Sequence, residues 1–322
     1  MRIFRNYQRL PEAARGAVAA IGNFDGVHLG HRAVIDAARR EAAARGVKSA
    51  VLTFEPHPRR LFRPADPPFR LTPFRVKALL LAELGIELML APKFDRAFAS
   101  IPAEEFVTGV LALKLGLKHA VCGADFVFGR GRGGDVALLQ RAARENGMGV
   151  TVVEPVGNGG AVYSSTSVRE RLMAGDPAGA ALMLGRPFEI VGRVRHGDKL
   201  GRQLGFPTAN VDHRTYLPPK LGVYAVRAAL DRDGAPWLAG VANFGNRPTV
   251  DGLRLLLEVH LFDFQGELYG QRLRVRLVDY LRPERKFDGL DALKAQIADD
   301  ARQARRVLNG AGGAPAAKAL AS

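Results

Sequence analysis

Two histidines three residues apart, His28 and His31, stand in the stretch GNFDGVHLGH, between an apolar strand-like run and a helical pattern from His31 to Ala44. Residues at that spacing share one face of a helical turn, and each imidazole can donate a hydrogen bond to a phosphate oxygen. A helix N-terminus adds unpaired backbone N–H groups and the positive end of the helix dipole, and Gly22 and Gly26 let the backbone come close to a ligand. This is chemistry for a triphosphate. It is not a complete metal site, because no HExxH helix and no nearby carboxylate and cysteine cluster supplies further ligands. A second stretch, YSSTSVRERL, gathers the hydroxyls of Ser164, Ser165 and Thr166 at a helix start, with Arg169 close behind, a set suited to gripping pyrophosphate. The same residues also read as a plain helix start, with Ser167 and Glu170 as a capping box.

The second half carries different chemistry. In GDKLGRQLGFPTAN, Gly197 to Asn210, the residues Thr208 and Asn210 are two apart on an extended segment and point to one side, offering hard oxygen ligands of the kind Mg²⁺ takes alongside phosphate oxygens. Gly197 and Gly201 let the backbone reach those phosphates. In LRLLLEVHLFDF, strict alternation puts Leu255, Leu257, Val259 and Leu261 on one face and Leu256, Glu258, His260 and Phe262 on the other. Glu258 is a candidate general base, although by itself it reads more simply as a half-exposed surface residue. No GxxxxGK[ST] loop and no HRD segment is present. GRGRGG, Gly129 to Gly134, satisfies GxGxxG but lies away from the first strand-to-helix turn, where a dinucleotide fingerprint belongs.

The elements that must hold these residues change character along the chain. Strand-like runs AVAAIGNF, SAVLTFEP, IELMLA, KHAVCGAD and GVTVVEPV alternate with helical stretches, among them one opened by Thr72 and Pro73, which predicts a parallel sheet wrapped by helices. After helical segments Ser167 to Ala174 and Pro177 to Leu184, five strand candidates follow without intervening helices, from FEIVGRVRHG to QRLRVRLVDYL, which predicts an antiparallel barrel or sandwich. A long amphipathic helix, Leu290 to Leu308, closes it. The expected domains are therefore 1–185 and 186–308, with 309–322 a disordered tail.

Composition narrows the classes. The only cysteine, Cys122, excludes an intramolecular disulfide and points to a reducing compartment, here taken as the cytoplasm. No apolar run approaches the roughly 20 residues of a membrane span, so no membrane partner is expected. The net charge of +15 invites a nucleic-acid reading, but the basic residues are scattered and lack interleaved aromatics, so small anionic substrates account for it better.

FDGVHLGH resembles the HxGH signature of the nucleotidyltransferase superfamily, and YSSTSVRERL resembles its SSTxxR motif. TFEPHPRRLF and GADFVFGRGRGGD are similar to segments of the FAD-synthesising family. GDKLGRQLGFPTAN, NFGNRPTV and LEVHLFDF resemble the riboflavin kinase family in the right order. Over residues from about Gly22 to Arg305 the chain is thus identified as a member of the bifunctional riboflavin kinase and FAD synthetase family.

The resemblance implies a Rossmann-like nucleotidyltransferase domain followed by a riboflavin kinase barrel. The two would phosphorylate riboflavin to FMN and adenylylate FMN to FAD, with ATP as co-substrate and Mg²⁺ as cofactor. It implies that His28, His31, Arg169 and Glu258 are catalytic and that Thr208 and Asn210 hold the metal. Gly22, Phe24, Asp25, Gly26 and Asp125, with the Ser164–Thr166 hydroxyls, Gly197 and Gly201, would border the nucleotide. Pro56, Pro58, Phe62 and Phe128 would wall the flavin in the first domain, and Asn243 and Arg247 in the second. Two alternatives remain open: a nucleotidyltransferase for another substrate fused to a barrel, and a flavin-binding regulator without activity.

Overall fold

Three strands of the first half, β2 (Val18–Ile21), β3 (Ser49–Leu52) and β4 (Leu88–Leu90), are buried at every position, the mark of a sheet covered on both faces. In the computed structural model, which describes residues 1–196, 205–249 and 252–310, they join β1 (Arg2–Phe4), β5 (His119–Gly123) and β6 (Gly149–Val153) in a six-stranded sheet of order β1-β4-β3-β2-β5-β6. Every pairing in it is parallel. From β2 the chain moves outward through β3 and β4, then returns to the other side of β2 with β5. The carboxyl end of β2 is therefore a topological switch point, where open sheets of this kind bind ligands.

Helix α1 (Leu29–Ala44) covers one face with Val34, Ile35 and Ala38, packed on Val18, Ala20 and Val51. On the other face Phe106, Val110 and Leu111 of a π-helical run, Phe106–Lys114, pack on Ala19, Ala50 and Ala120. Cys122 of β5 is fully buried, and burial pushes its thiol up to about 11, so it behaves as a small core residue. Two further helices bear on the site: α2 (Pro58–Phe62) and α3 (Phe74–Glu83).

The chain divides into two units, Met1–Ser165 and Thr166–Ser322. The helices read as Ser167 to Ala174 and Pro177 to Leu184 are α4 (Ser165–Ala174) and α5 (Pro177–Leu184), the latter ending on a left-handed Gly185. Because the first of them starts at Ser165, Ser167 lies inside the helix rather than at its cap. Six strands then close an antiparallel barrel: β7 (Phe188–Arg195), β8 (Ala209–Val211), β9 (Gly222–Leu230), β10 (Leu238–Thr249), β11 (Gly252–Leu261) and β12 (Arg272–Arg282). Closure brings β7 against β8, where a side chain on Gly192 would meet the Asp212 carbonyl oxygen at 2.0 Å. The last helix, α6 (Leu290–Gly310), buries Ala304 and Leu308 against Val223, Ala225 and Val241.

The barrel differs from the sequence reading in two places. The PTAN stretch contributes a sixth strand, three residues long and too short for an alternation to reveal. NRPT, which no alternation marks as strand, is the end of β10, with Thr249 opposite Gly252 in the backbone register. Gly197, Gly201 and residues 311–322 of the expected tail lie outside the described residues, and residues 309 and 310 continue α6.

Candidate active sites

The loop from Gly22 to His28 runs from the carboxyl end of β2 into α1 through three left-handed residues, Phe24 (φ 49°), Gly26 (φ 90°) and Val27 (φ 47°). A β-branched valine there is strained, and such strain persists only where the surroundings hold it. They hold it closely. Lys77 Nζ and Thr53 Oγ1 donate to the Asn23 carbonyl at 2.7 and 3.1 Å. The Asp25 carboxylate accepts from the Leu71 and Thr72 amides at 3.0 and 2.9 Å, the Gly26 amide donates to Thr72 Oγ1 at 2.8 Å, and Ser165 Oγ donates to the Asp25 carbonyl at 2.8 Å.

The result is a fixed histidine pair. His28 caps α1, its Nδ1 accepting from the His31 amide at 3.3 Å, and the two rings stack at 3.6 Å with Phe24 edge-on to His31. His28 is 5% exposed. A methyl group on Gly30 would meet the His28 ring and the Tyr163 carbonyl oxygen, both at 3.1 Å, so the glycine of HLGH is set by the imidazole beside it.

Asp25 is buried and its carboxylate accepts from the backbone amides of Leu71 and Thr72. Phe128 is buried in the core, stacked on Phe126 and packed on Phe106, where the segment folds back through paired Phe128 and Gly134. Phe62 is 67% exposed on α2, edge-on to Phe94, and Pro56 and Asp125 are exposed. Ser164 and Ser165 close the first unit; Thr166 and Arg169 belong to α4 of the second.

A buried ionic cluster beneath this loop has no counterpart in the sequence reading. Lys77, fully buried on α3, lies 3.5 Å from Glu55 Oε1, and Arg70 grips Glu55 with two N–H groups, one at 2.8 Å. Burial lowers the Lys77 ammonium to about 8, against the pull of Glu55. Burial pushes the Glu55 carboxyl up, but Arg70 and Lys77 outweigh it and hold it below the usual range. FRVKALLLAE gives no hint that its lysine is inside while Leu79 is exposed.

In the barrel, Glu258 of β11 lies directly opposite Asn210 of β8 on one side and Asn243 of β10 on the other. Directly opposed residues project to the same face, so the three form one polar row, while neighbouring Leu257 and Val259 point inward and are buried. Asn243 Nδ2 donates to Glu284 at 3.2 Å. Thr208 and Asn210 also line a cavity of about 230 Å³ with Val194, Phe264, Glu267 and Tyr269, against whose ring His196 packs at 4.0 Å. Arg247 lies opposite Arg254 in the backbone register.

A parallel sheet with a helix N-terminus and paired imidazoles at its switch point, followed by a closed barrel with a carboxylate between two asparagines, defines a two-unit enzyme class that handles phosphate groups. The FAD synthetase family model matches residues 10–167 and the riboflavin kinase family model matches residues 184–308. A bifunctional riboflavin kinase/FMN adenylyltransferase of Escherichia coli (strain K12) is 46% identical over 306 residues, covering 95% of this chain and 97% of its own. Its Bacillus subtilis (strain 168) namesake is 37% identical over 305 residues, covering 93% and 95%. A crystal structure described as a macrolide-efflux protein from Streptococcus pneumoniae superposes with a TM-score of 0.84 at 29% identity, covering 94% of this chain and 98% of that one. No helix among the described residues is long and apolar enough to cross a membrane. The chain belongs to the bifunctional riboflavin kinase/FMN adenylyltransferase family.

Proposed function

We propose that the barrel phosphorylates riboflavin to FMN and that the parallel-sheet unit adenylylates FMN to FAD, releasing pyrophosphate. One observation supports each half: the stacked His28–His31 pair at the start of α1, and the row Asn210–Glu258–Asn243.

In adenylylation the attacking FMN phosphate is already ionised, so the reaction needs orientation and charge neutralisation rather than a general base. His28 and His31, with the N-terminal amides of α1, are assigned to the ATP phosphates, and Arg169 and the hydroxyls of Ser164 and Thr166 to the departing pyrophosphate, while Ser165, whose hydroxyl donates to the Asp25 carbonyl, is assigned to holding the loop. Gly22 is assigned to bordering the nucleotide, Phe24, buried edge-on to His31, to backing the histidine pair, and Asp25 to holding the loop. Asp125 remains a nucleotide candidate and Pro56, Pro58 and Phe62 flavin candidates. Phe128 supports the wall from behind, through Phe126.

In the kinase, Glu258 takes the proton of the ribityl 5′-hydroxyl as it attacks the γ-phosphorus of ATP and ADP leaves. Thr208, just before β8, and Asn210 within it fit Mg²⁺ as hard oxygen donors two residues apart, since this ion needs only one or two protein ligands beside water and phosphate. When bound, Mg²⁺ neutralises phosphate charge. Asn243 and Arg247 are assigned to the flavin side and Gly197 and Gly201 to the phosphates. The functional boundary is placed near Gly185, and the enzyme is assigned to the cytoplasm, acting on small molecules.

The assignment is tested by two variants. His28→Ala loses FAD formation from FMN and keeps FMN formation from riboflavin; Glu258→Ala does the reverse. Equal loss of both activities in either folded variant contradicts it.

A further inference from the structure

A fully buried lysine on a short helix is unusual, because a lysine inside a protein is stable there only with partners. Lys77 has three: the Asn23 carbonyl at 2.7 Å, Thr53 Oγ1 at 3.2 Å and Glu55 Oε1 at 3.5 Å. They come from two segments on the carboxyl side of the sheet, the loop that carries His28 and the stretch after β3 that carries Pro56 and Pro58.

Stability does not explain the arrangement. A buried ion pair replaced by apolar groups of similar volume is often neutral or stabilising, so a charge kept in the core calls for another role. What Lys77 does is join three groups through one ammonium: it binds Asn23, the last ordinary residue before the left-handed run Phe24, Gly26, Val27, to both Thr53 and Glu55 of the segment next door. We propose that Lys77 is a positioning residue for adenylyl transfer: its ammonium group clamps the Asn23 carbonyl to Thr53 and Glu55, fixing the strained loop, and with it the His28–His31 pair, relative to the flavin-side segment.

The clamp has a second arm, since Thr53 Oγ1 donates to the same carbonyl at 3.1 Å, and Glu55 is independently gripped by Arg70. Removing Lys77 therefore leaves no uncompensated carboxylate, and Lys77→Met preserves volume. Thr53→Val removes the second arm without changing shape, and Thr53→Ser restores the hydroxyl.

This inference rests on the adenylyl-transfer reading above, and the wild-type rate of FAD formation from FMN tests that reading by itself. Each variant is then compared with wild type for FAD formation from FMN and FMN formation from riboflavin, the second serving as an internal control, and for thermal unfolding. Loss of the clamp lowers kcat for FAD formation about 10- to 100-fold, the scale of an ångström-sized misplacement, with KM for FMN and ATP changed far less and the kinase rate intact. Thr53→Val shows a smaller loss of the same kind, and Thr53→Ser recovers it. The proposal is overturned if Lys77→Met and Thr53→Val both form FAD within twofold of the wild-type kcat. It is equally overturned if their losses vanish at a lower temperature where the unfolded fraction is gone. Should Lys77→Met fail to fold, the Thr53→Val and Thr53→Ser pair decides by the same criteria.

Discussion

Replacing Asp25 by alanine removes the acceptor for the amides of Leu71 and Thr72, which lie at 3.0 and 2.9 Å from Oδ1 on residues that are 1% and 2% exposed. Each buried amide left without an acceptor costs about 1–3 kcal/mol, so the pair costs roughly 2–6 kcal/mol. That is a large share of the roughly 5–15 kcal/mol that keeps a typical protein folded. Asp25→Asn keeps one oxygen in place but gives up the charge, and should cost about 1–2 kcal/mol. The protein carries its own reporter for where the damage falls: its single tryptophan, Trp237, belongs to the second unit, stacked under Arg276 at 3.6 Å. Chemical denaturation followed by tryptophan fluorescence reads the barrel, and far-ultraviolet circular dichroism reads both units. In Asp25→Ala the fluorescence midpoint stays, an early dichroism transition appears, and FAD formation drops while FMN formation persists. A dichroism midpoint equal to wild type with full FAD formation would refute the reasoning that this carboxylate holds the loop.

Two further outcomes follow from single contacts. Gly30→Ala places a methyl group 3.1 Å from the His28 ring and the Tyr163 carbonyl, so the ring must give by a few tenths of an ångström; FAD formation slows with helix α1 still formed, and an unchanged rate in steady-state assays would contradict the close fit. Because Lys77 loses its proton near 8 when folded but at 10.5 as an ordinary lysine, the folded chain binds fewer protons between those values. The stability of wild type relative to Lys77→Met therefore rises as pH increases through that window, read as a growing difference in denaturation midpoint; a flat difference would show that the lysine is not buried as described.

Much of the fold was legible because its signals are local. The alternation of strands and helices, the HLGH turn and the period-two pattern around Glu258 each fit within about a dozen residues, and the sheet and barrel follow from them. What was not legible depends on partners far along the chain. Asp25 reads as a ligand-facing carboxylate until Leu71 and Thr72, 46 and 47 residues away, are seen to bind it. Nothing in FRVKALLLAE marks Lys77 as buried, because Asn23 and Glu55, which help enclose it, lie far from it along the chain. Phe128 and Phe62, given the same expectation, differ in burial for the same reason: Phe106 and Phe126 pack over the first, while the second stays largely exposed beside Phe94. The strand Ala209–Val211 escaped because three residues carry no period, yet it sets Asn210 beside Glu258.

The central claim is that one chain performs two successive transfers to the same flavin. The most direct test is a time course of purified protein with riboflavin, ATP and Mg²⁺, the flavins separated by chromatography. The account predicts FMN appearing first and FAD following at its expense; a protein that binds flavin but converts none of it, with Mg²⁺ and ATP in excess, would contradict it.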